Sequence, residues 1–358
     1  MATTTTNYGF DVPTSSDLVK NGATQIALLG QDLDTFLFRP FSRNGLLNSA
    51  FNVWQRGTSI AGATAINYTA DRWQGFRAGS TFSRQVTGDT TNLPNIQYCM
   101  RVQRNSGTTG TSSIVLSQSL ETLDAIPFAG KTVTLSFYAR KGANFSHSTS
   151  SILSSVFTGT GTDQSYIGGY TGLATAFSNS SVITTTWQRF TFTGSIAATA
   201  TELAVNFSYD PSGTAGAADY FEVTGVQLEV GNQASPYAPA TPTYATELAA
   251  CQRYFQTYGG SSYGELTGQF YNTTAARFSR ALLVSLRSNN PTVTFPTGTF
   301  TNFIEEVGVA NRTPTAFVSN GLSYSHFTFS ATGMTGATTN SMAAWSASAT
   351  AVTISAEL

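Results

Sequence analysis

Apolar and polar residues alternate along most of this chain in short runs broken by glycine, asparagine and aspartate. Phe82–Val86, Tyr98–Gln103, Ser113–Gln118, Thr132–Ala139, Arg189–Thr193, Glu202–Tyr209 and Tyr220–Val230 carry the period of two expected of half-buried strands. No helical pattern separates them, so an antiparallel sandwich or barrel is expected rather than a parallel α/β sheet. A second series follows at Ala275–Arg287, Pro291–Phe295, Phe303–Val309, Thr315–Val318, Ser323–Ser330 and Ala351–Ile354. The series has no fixed internal period, which argues against a solenoid. Leu46–Trp73 leads into the first series. It alternates as far as Arg56-Gly57, crosses an Ala/Gly/Thr loop and closes on Tyr68-Thr-Ala-Asp-Arg-Trp73. Alternation puts Phe51, Val53 and Gln55 on one face, and Asn52, Trp54 and Arg56 on the other. Trp54, Tyr68, Trp73 and Trp187 are expected in core or interface packing, with Asp71 braced by Arg56 or Arg72.

Two stretches break the β pattern. Thr14-Ser15-Ser16-Asp17 is a helix-capping signal, and Val19, Gly22, Ile26, Leu29, Leu33 and Phe36 then recur at spacings of 3 and 4. That seam is under three heptads long, and a helix so short is marginal alone in water. Its apolar stripe asks either for two more copies, giving three parallel chains, or for packing on its own domain. Phe38-Arg-Pro40 ends it. Further on, Asn232–Tyr244 contains three prolines and reads as a semi-rigid linker, followed by a helix over Ala245–Gln256 with Leu248, Cys251, Tyr254 and Phe255 on one face.

Composition narrows the class. Charged residues are 10 % of 358, against about a quarter in ordinary soluble domains, while 25 Phe, 15 Tyr and 4 Trp supply ample surface to bury. Disorder is therefore a poor fit. A net charge of −1 argues against nucleic acid, and no apolar run is long enough for membrane insertion. The start, MATTTTNYGF, lacks the features of a secretory signal. Cys99 and Cys251 are too few for a disulfide framework and are expected as buried thiols.

The opening segment N-Y-G-F-D-V-P-T-x-x-D-L-V-K-N-G-A-x-x-I-x-x-L-G-Q-D-L-D-T, from Asn7 to about Thr35, resembles the amino-terminal segment of bacteriophage tail fibre and minor tail proteins. N-x-x-F-x-x-W-Q-R-G-T-S with Y-T-A-D-R-W resembles the start of a β-sandwich module found in the same proteins, and C-Q-R-Y-F after G-V-Q-L-E-V-G resembles their junction to a terminal β domain. Gly130–Arg140, Trp187–Thr193 and Ala218–Glu229 are similar to three ordered strands of the jelly-roll carbohydrate-binding modules, although Glu222 or Gly225 stands where that family has its final acid. In such folds the first and last strands share a sheet, which places Ala50–Trp54 near Val223–Leu228.

These resemblances imply a mostly β chain. Residues 1–40 form a virion-docking arm and trimerising helix, 41–231 a jelly-roll β-sandwich, 232–244 the linker, and 245–358 a C-terminal β tip. They imply a homotrimeric virion protein of the phage tail, bound to other tail proteins through residues 1–40. It is assembled in the host cytoplasm and released by lysis. The readings set against this are a polysaccharide-degrading tail enzyme and a collar or adaptor fibre without a receptor role.

Candidate chemistry is sparse. His147 and His326 are the only histidines, and neither adjoins a G-x-S-x-G turn or a cysteine. Metal ligation fails on number and spacing, and no cofactor is expected. Glu305 and Glu306 are adjacent and Asp219 and Glu222 are an odd number apart, so on strands each pair faces opposite sides and cannot flank a glycosidic bond. Sugar binding needs aromatic faces and amides. Thr162–Tyr170 offers Asp163, Gln164, Tyr166 and Tyr170, and Ser261–Asn272 offers Tyr263 and Tyr271.

Overall fold

A computed structural model describes residues 3–4, 11–12, 14, 18, 21–37, 44–93, 95–258, 266–288, 290–296, 303–345 and 352–358. Contacts divide the chain into two compact units, Met1–Asn44 and Gly45–Leu358.

In the first unit, β1 (Thr3–Thr4) pairs antiparallel with β2 (Asp11–Val12), and α1 spans Gly22–Leu37. The helix thus starts five residues after Asp17, where the capping signal had placed its first turn. Val19 of the expected seam lies outside the described residues, as does the side chain of Phe36. Within the seam Gly22 and Leu29 are half-buried, whereas Ile26 is 66 % and Leu33 45 % exposed. Among the described residues, the Ile26 and Leu33 side chains of the stripe are the ones left exposed.

The second unit opens with a β-sandwich. Its strands are β3 (Ser59–Ala61), β4 (Gln74–Phe76), β5 (Ser80–Val86), β6 (Tyr98–Arg104), β7 (Ile114–Ser119), β8 (Thr132–Lys141), β9 (Ser151–Gly159), β10 (Ala174–Val182), β11 (Gln188–Ser195), β12 (Glu202–Tyr209) and β13 (Tyr220–Val230). They form a five-stranded sheet in the order β10-β9-β12-β7-β4 and a six-stranded sheet in the order β11-β8-β13-β6-β5-β3. A one-turn helix, α2 (Thr122–Ala125), follows β7. The inward positions of both sheets meet in one core, where Trp73 lies 5.0 Å from Phe51 and Phe137 packs edge-on to Phe207 at 4.8 Å. A bulge in β13 falls between Thr224 and Gln227, and Gly225 there has φ +57°.

Leu46–Trp54 is ordered but is not a strand. The Asn48 side chain takes over the hydrogen bonds that a ladder would need: its Nδ2 donates to the carbonyls of Val53 and Asp71 at 2.8 and 3.0 Å, and its Oδ1 accepts from Val53 N at 2.9 Å. Such local side-chain bonds compete with sheet pairing. Two ties to the last strand remain, Gly45 N to Leu228 O at 3.0 Å and Val226 N to Ser49 O at 3.1 Å, made by residues just before the expected Ala50–Trp54 segment.

Residues 232–243 are strapped to the sandwich instead of spanning free space as a spacer would. Buried Ser235 donates to Glu229 Oε2 at 2.8 Å and receives Gln227 Nε2 at 2.9 Å, while Ala238 N donates to Gln227 Oε1 at 2.9 Å. Helix α3 (Tyr244–Gln252) follows, started by a reciprocal capping pair of Thr243 and Thr246. It ends four residues short of the expected Gln256, because Phe255 has left the helix to pair with Ser355.

A second core is built from β14 (Phe255–Tyr258), β15 (Thr267–Asn272), β16 (Ala275–Ala281), β17 (Thr292–Thr294), β18 (Ile304–Glu306), β19 (Ala310–Arg312), β20 (Ala316–Leu322), β21 (His326–Thr332), β22 (Met342–Trp345) and β23 (Val352–Ser355). Seven strands run in the order β19-β18-β22-β15-β16-β21-β20, and three in the order β14-β23-β17. Phe278, Phe329, Phe317 and Phe303 gather round buried Trp345.

One carboxylate pins this lobe. Buried Glu306 receives Arg312 Nε at 2.8 Å, Thr338 N at 2.8 Å and Ser341 Oγ at 2.9 Å. Burial pushes its pKa up, but these donors outweigh it and hold the carboxyl at about 2 against the ordinary 4.5. A depressed acid stabilises the fold fully above the unfolded value, and that contribution is lost as pH falls from 4.5 through about 2. The denaturation midpoint of the C-terminal lobe is therefore expected to fall over that window, and to do so less steeply in Glu306→Gln. An identical slope in the variant would refute the assignment.

Candidate functional site

The stretch Arg56–Trp73 and the C-terminal lobe form one junction. Arg56 Nη1 lies 3.2 Å from Asp71 Oδ1 and its Nη2 lies 3.1 Å from Glu357 Oε1; the same guanidinium stacks 3.6 Å over the Phe255 ring. Arg72, only 3 % exposed, reaches Glu357 Oε2 at 2.5 Å and Ser119 O at 2.7 Å, and lies 3.6 Å over the ring of Tyr254. Gln55 Nε2 bridges Asp71 Oδ2 at 2.7 Å and Phe255 O at 2.8 Å. Glu247 of α3 accepts from Asn48 N at 3.0 Å, and Arg253 pairs with Glu121. Burial pushes the Asp71 carboxyl up to about 6, against the pull of Arg56. Arg72 holds φ +71° and Phe51 φ +55°, conformations that a bulky residue keeps only where its surroundings enforce them. The expected brace between Asp71 and Arg56 is present, and it extends into the second lobe.

The first candidate loop is drawn into the same structure. Asp163 Oδ1 accepts from Thr122 N at 2.9 Å and its Oδ2 pairs with Arg287 Nη1 at 2.9 Å. Gln164 is tied to Thr171 by Nε2 to Oγ1 at 3.0 Å and by Thr171 N to Oε1 at 2.7 Å. Tyr170 is buried, and burial pushes its phenol far up. Half-buried Tyr166 stacks on Phe157 at 4.4 Å. The loop lies over the outer face of the five-stranded sheet, where Ser178, Ser155, Asn206, Ser117 and Gln74 are paired in register across all five strands. Ser165 Oγ donates to Gln74 Oε1 at 2.9 Å and Tyr166 N to Ser119 Oγ at 3.0 Å. These residues are mostly spent on holding the loop down.

The second candidate is differently placed. Tyr263 lies outside the described residues. Tyr271, at the end of β15, is 42 % exposed, with the Arg277 guanidinium 5.0 Å from its ring. Met342, Gln269, Arg277, Ser330 and Val318 stand in register across β22, β15, β16, β21 and β20. Their neighbours Phe270, Phe278 and Phe329 belong to the core, so this row faces outward, with Ser330 alone covered, through its bond to Asn320 Oδ1 at 2.6 Å. The result is an open face with one presented aromatic ring, one cation and an amide. No element of that face but Tyr271 itself was marked in the sequence, because the alternation that exposes it also describes any sheet.

Two of the buried acids on the six-stranded side have arginine partners: Glu222 meets Arg101 at 2.6 Å and Arg140 at 2.5 Å, and Asp219 meets Arg104 at 3.3 Å. Glu305 and Glu306 do face opposite ways, half-buried and fully buried. His147 Nδ1 accepts from Ser151 N at 3.2 Å and so caps its own turn. Both cysteines are buried thiols, and burial pushes both up.

No protein-family model matches the sequence, and no curated protein matches it. Among solved structures, the chain is similar to a CBM4 carbohydrate-binding module at 18 % identity and TM-score 0.31, covering 51 % of this chain and 98 % of that one. It is similar to a putative sugar binding protein from Bacteroides thetaiotaomicron at 13 % identity and TM-score 0.34, covering 53 % and 100 %. A further match is the enzymatically active domain of bacteriophage CBA120 tailspike protein 4, at 13 % identity and TM-score 0.34, covering 52 % of this chain and 21 % of that one.

Proposed function

We propose that this chain is a structural, non-enzymatic protein of a bacteriophage tail, a homotrimeric fibre or tip protein that recognises a glycan on the host surface. The observation that carries the reading is the outward face around Tyr271 and Arg277, where an exposed ring, a guanidinium and the Gln269 amide offer the stacking and hydrogen bonding that sugars require. The exposed Ile26 and Leu33 of α1 supply the surface through which three copies associate. Three weak sites then act together, and avidity replaces single-site affinity. Residues 1–40 dock the protein on the particle.

Removing residues 245–358 is a poor test, since it would strip Arg72 and Glu121 of their charged partners and leave Arg56 with Asp71 alone. Tyr271→Ala and Arg277→Ala are better, being at the surface. Both are expected to cut adsorption to host cells about tenfold, the effect of losing roughly 1.4 kcal/mol of contact, with circular dichroism unchanged. Unimpaired adsorption in both would favour the collar or adaptor reading. Incubation with host polysaccharide is expected to leave its chain length unaltered; shortening would overturn the non-enzymatic reading.

A further inference from the structure

We infer that a cleft on the sandwich, separate from the tip face, binds a saccharide that carries a carboxylate. The cleft has a volume of about 530 Å³ and lies between the Ala50–Asn52 segment, the loop before β6 and the strap that leads into α3. That volume is within the usual range for small-molecule sites, about 300–1,000 Å³.

Its lining combines three tyrosines, Tyr98, Tyr237 and Tyr244, with the amides of Asn52, Asn95 and Gln97. Tyr237 is fixed, packed against the small cluster of Ala50, Ile96 and Cys99 and held through its hydroxyl to Ser49 Oγ at 2.9 Å. Tyr244 is 58 % exposed at the rim. Rigid and rim aromatics around a polar gap suit the C–H faces and hydroxyls of a pyranose.

Charge selects among saccharides. Arg84 is the one charged residue of the lining, and its guanidinium lies 4.5 Å over the Tyr98 ring. Among the described residues it has no carboxylate partner, unlike the arginines of the junction. Glu247, the nearby acid, is buried behind Asn52, whose Nδ2 is 3.4 Å from its Oε2. A half-buried, pre-stacked guanidinium lining a polar cleft matches the planar carboxylate of a uronic or sialic acid.

The test titrates the full-length protein with galacturonate, glucuronate and sialyl oligosaccharides beside neutral oligosaccharides of equal length. At least one acidic member is expected to bind saturably, about tenfold or more tighter than its neutral counterpart. Arg84→Gln should erase that preference, Tyr98→Ala should abolish binding, and Tyr271→Ala should leave it unchanged. No acidic ligand binding, equal binding of neutral sugars, or binding that survives Tyr98→Ala would each overturn the proposal. Because the Tyr271→Ala arm is separate, failure here is distinguishable from failure of the tip reading.

Discussion

Replacing Arg72 with Met is expected to destabilise residues 45–358 by about 3–5 kcal/mol, the usual result of removing one partner from a buried ion pair. Glu357 would keep a carboxylate in a nearly inaccessible place with only Arg56 to face it, and Tyr254 would lose the guanidinium stacked 3.6 Å above its ring. Buried cation–π contacts alone contribute about 2 kcal/mol. Two probes separate the lobes in a urea titration: Trp73 reports the sandwich core and Trp345 the C-terminal core. In the native sequence their transitions should coincide, and in Arg72→Met the C-terminal lobe should open first. Adding Glu357→Gln to the variant should recover part of the loss, because the stranded charge is then removed. A midpoint unchanged in Arg72→Met would show that the junction contributes little.

The second large effect concerns assembly. In the proposed trimer, substituting Ile26 and Leu33 together with Asn is expected to lower the solution mass threefold, to that of a monomer. A 16-residue helix is about 24 Å long and marginal alone. It has no acid in its first turn and no base in its last to complement its dipole, so its stability has to come from packing. Burying an Ile or a Leu against partner helices contributes about 1.5–3 kcal/mol per side chain. Light scattering after size exclusion reads the mass directly. Host adsorption should drop with it by about 10²–10⁴, the avidity of linked sites. A native chain that is already monomeric would remove the trimer and this expectation together.

The strands of the sandwich were legible where the inward residues are large and apolar: β12, with Leu203, Val205, Phe207 and Tyr209 in the core, and β13, with Phe221, Val223, Val226 and Leu228, match the expected Glu202–Tyr209 and Tyr220–Val230 throughout. Strands β9 and β10 escaped, because SILSSVFTG and ATAFSNSSV place serines on both faces and their alternation is faint. Met342–Trp345 and Phe255–Tyr258 are short and take their identity from partners far away in sequence. The scaffold role of Trp73 and Asp71 was readable from their motif. Their partners were not, since Arg72 and Glu357 are 285 positions apart and no local pattern links them. Tyr166 and Tyr170 share composition with Tyr271, and only the packing of Phe157, Ser119 and Arg287 around their loop separates scaffold from surface.

The junction also dictates where such a chain tolerates exchange. Composition alone would put a recombination point in the proline-rich segment at 232–244. A crossover there would import a C-terminal lobe whose equivalents of Glu247, Tyr254 and Glu357 had been selected against a different Asn48, Arg72 and Arg56. A crossover near residue 44 carries both halves of the lock together. Hybrid chains are therefore expected to fold when the whole of 45–358 moves, and to be unstable when residues 245–358 move by themselves.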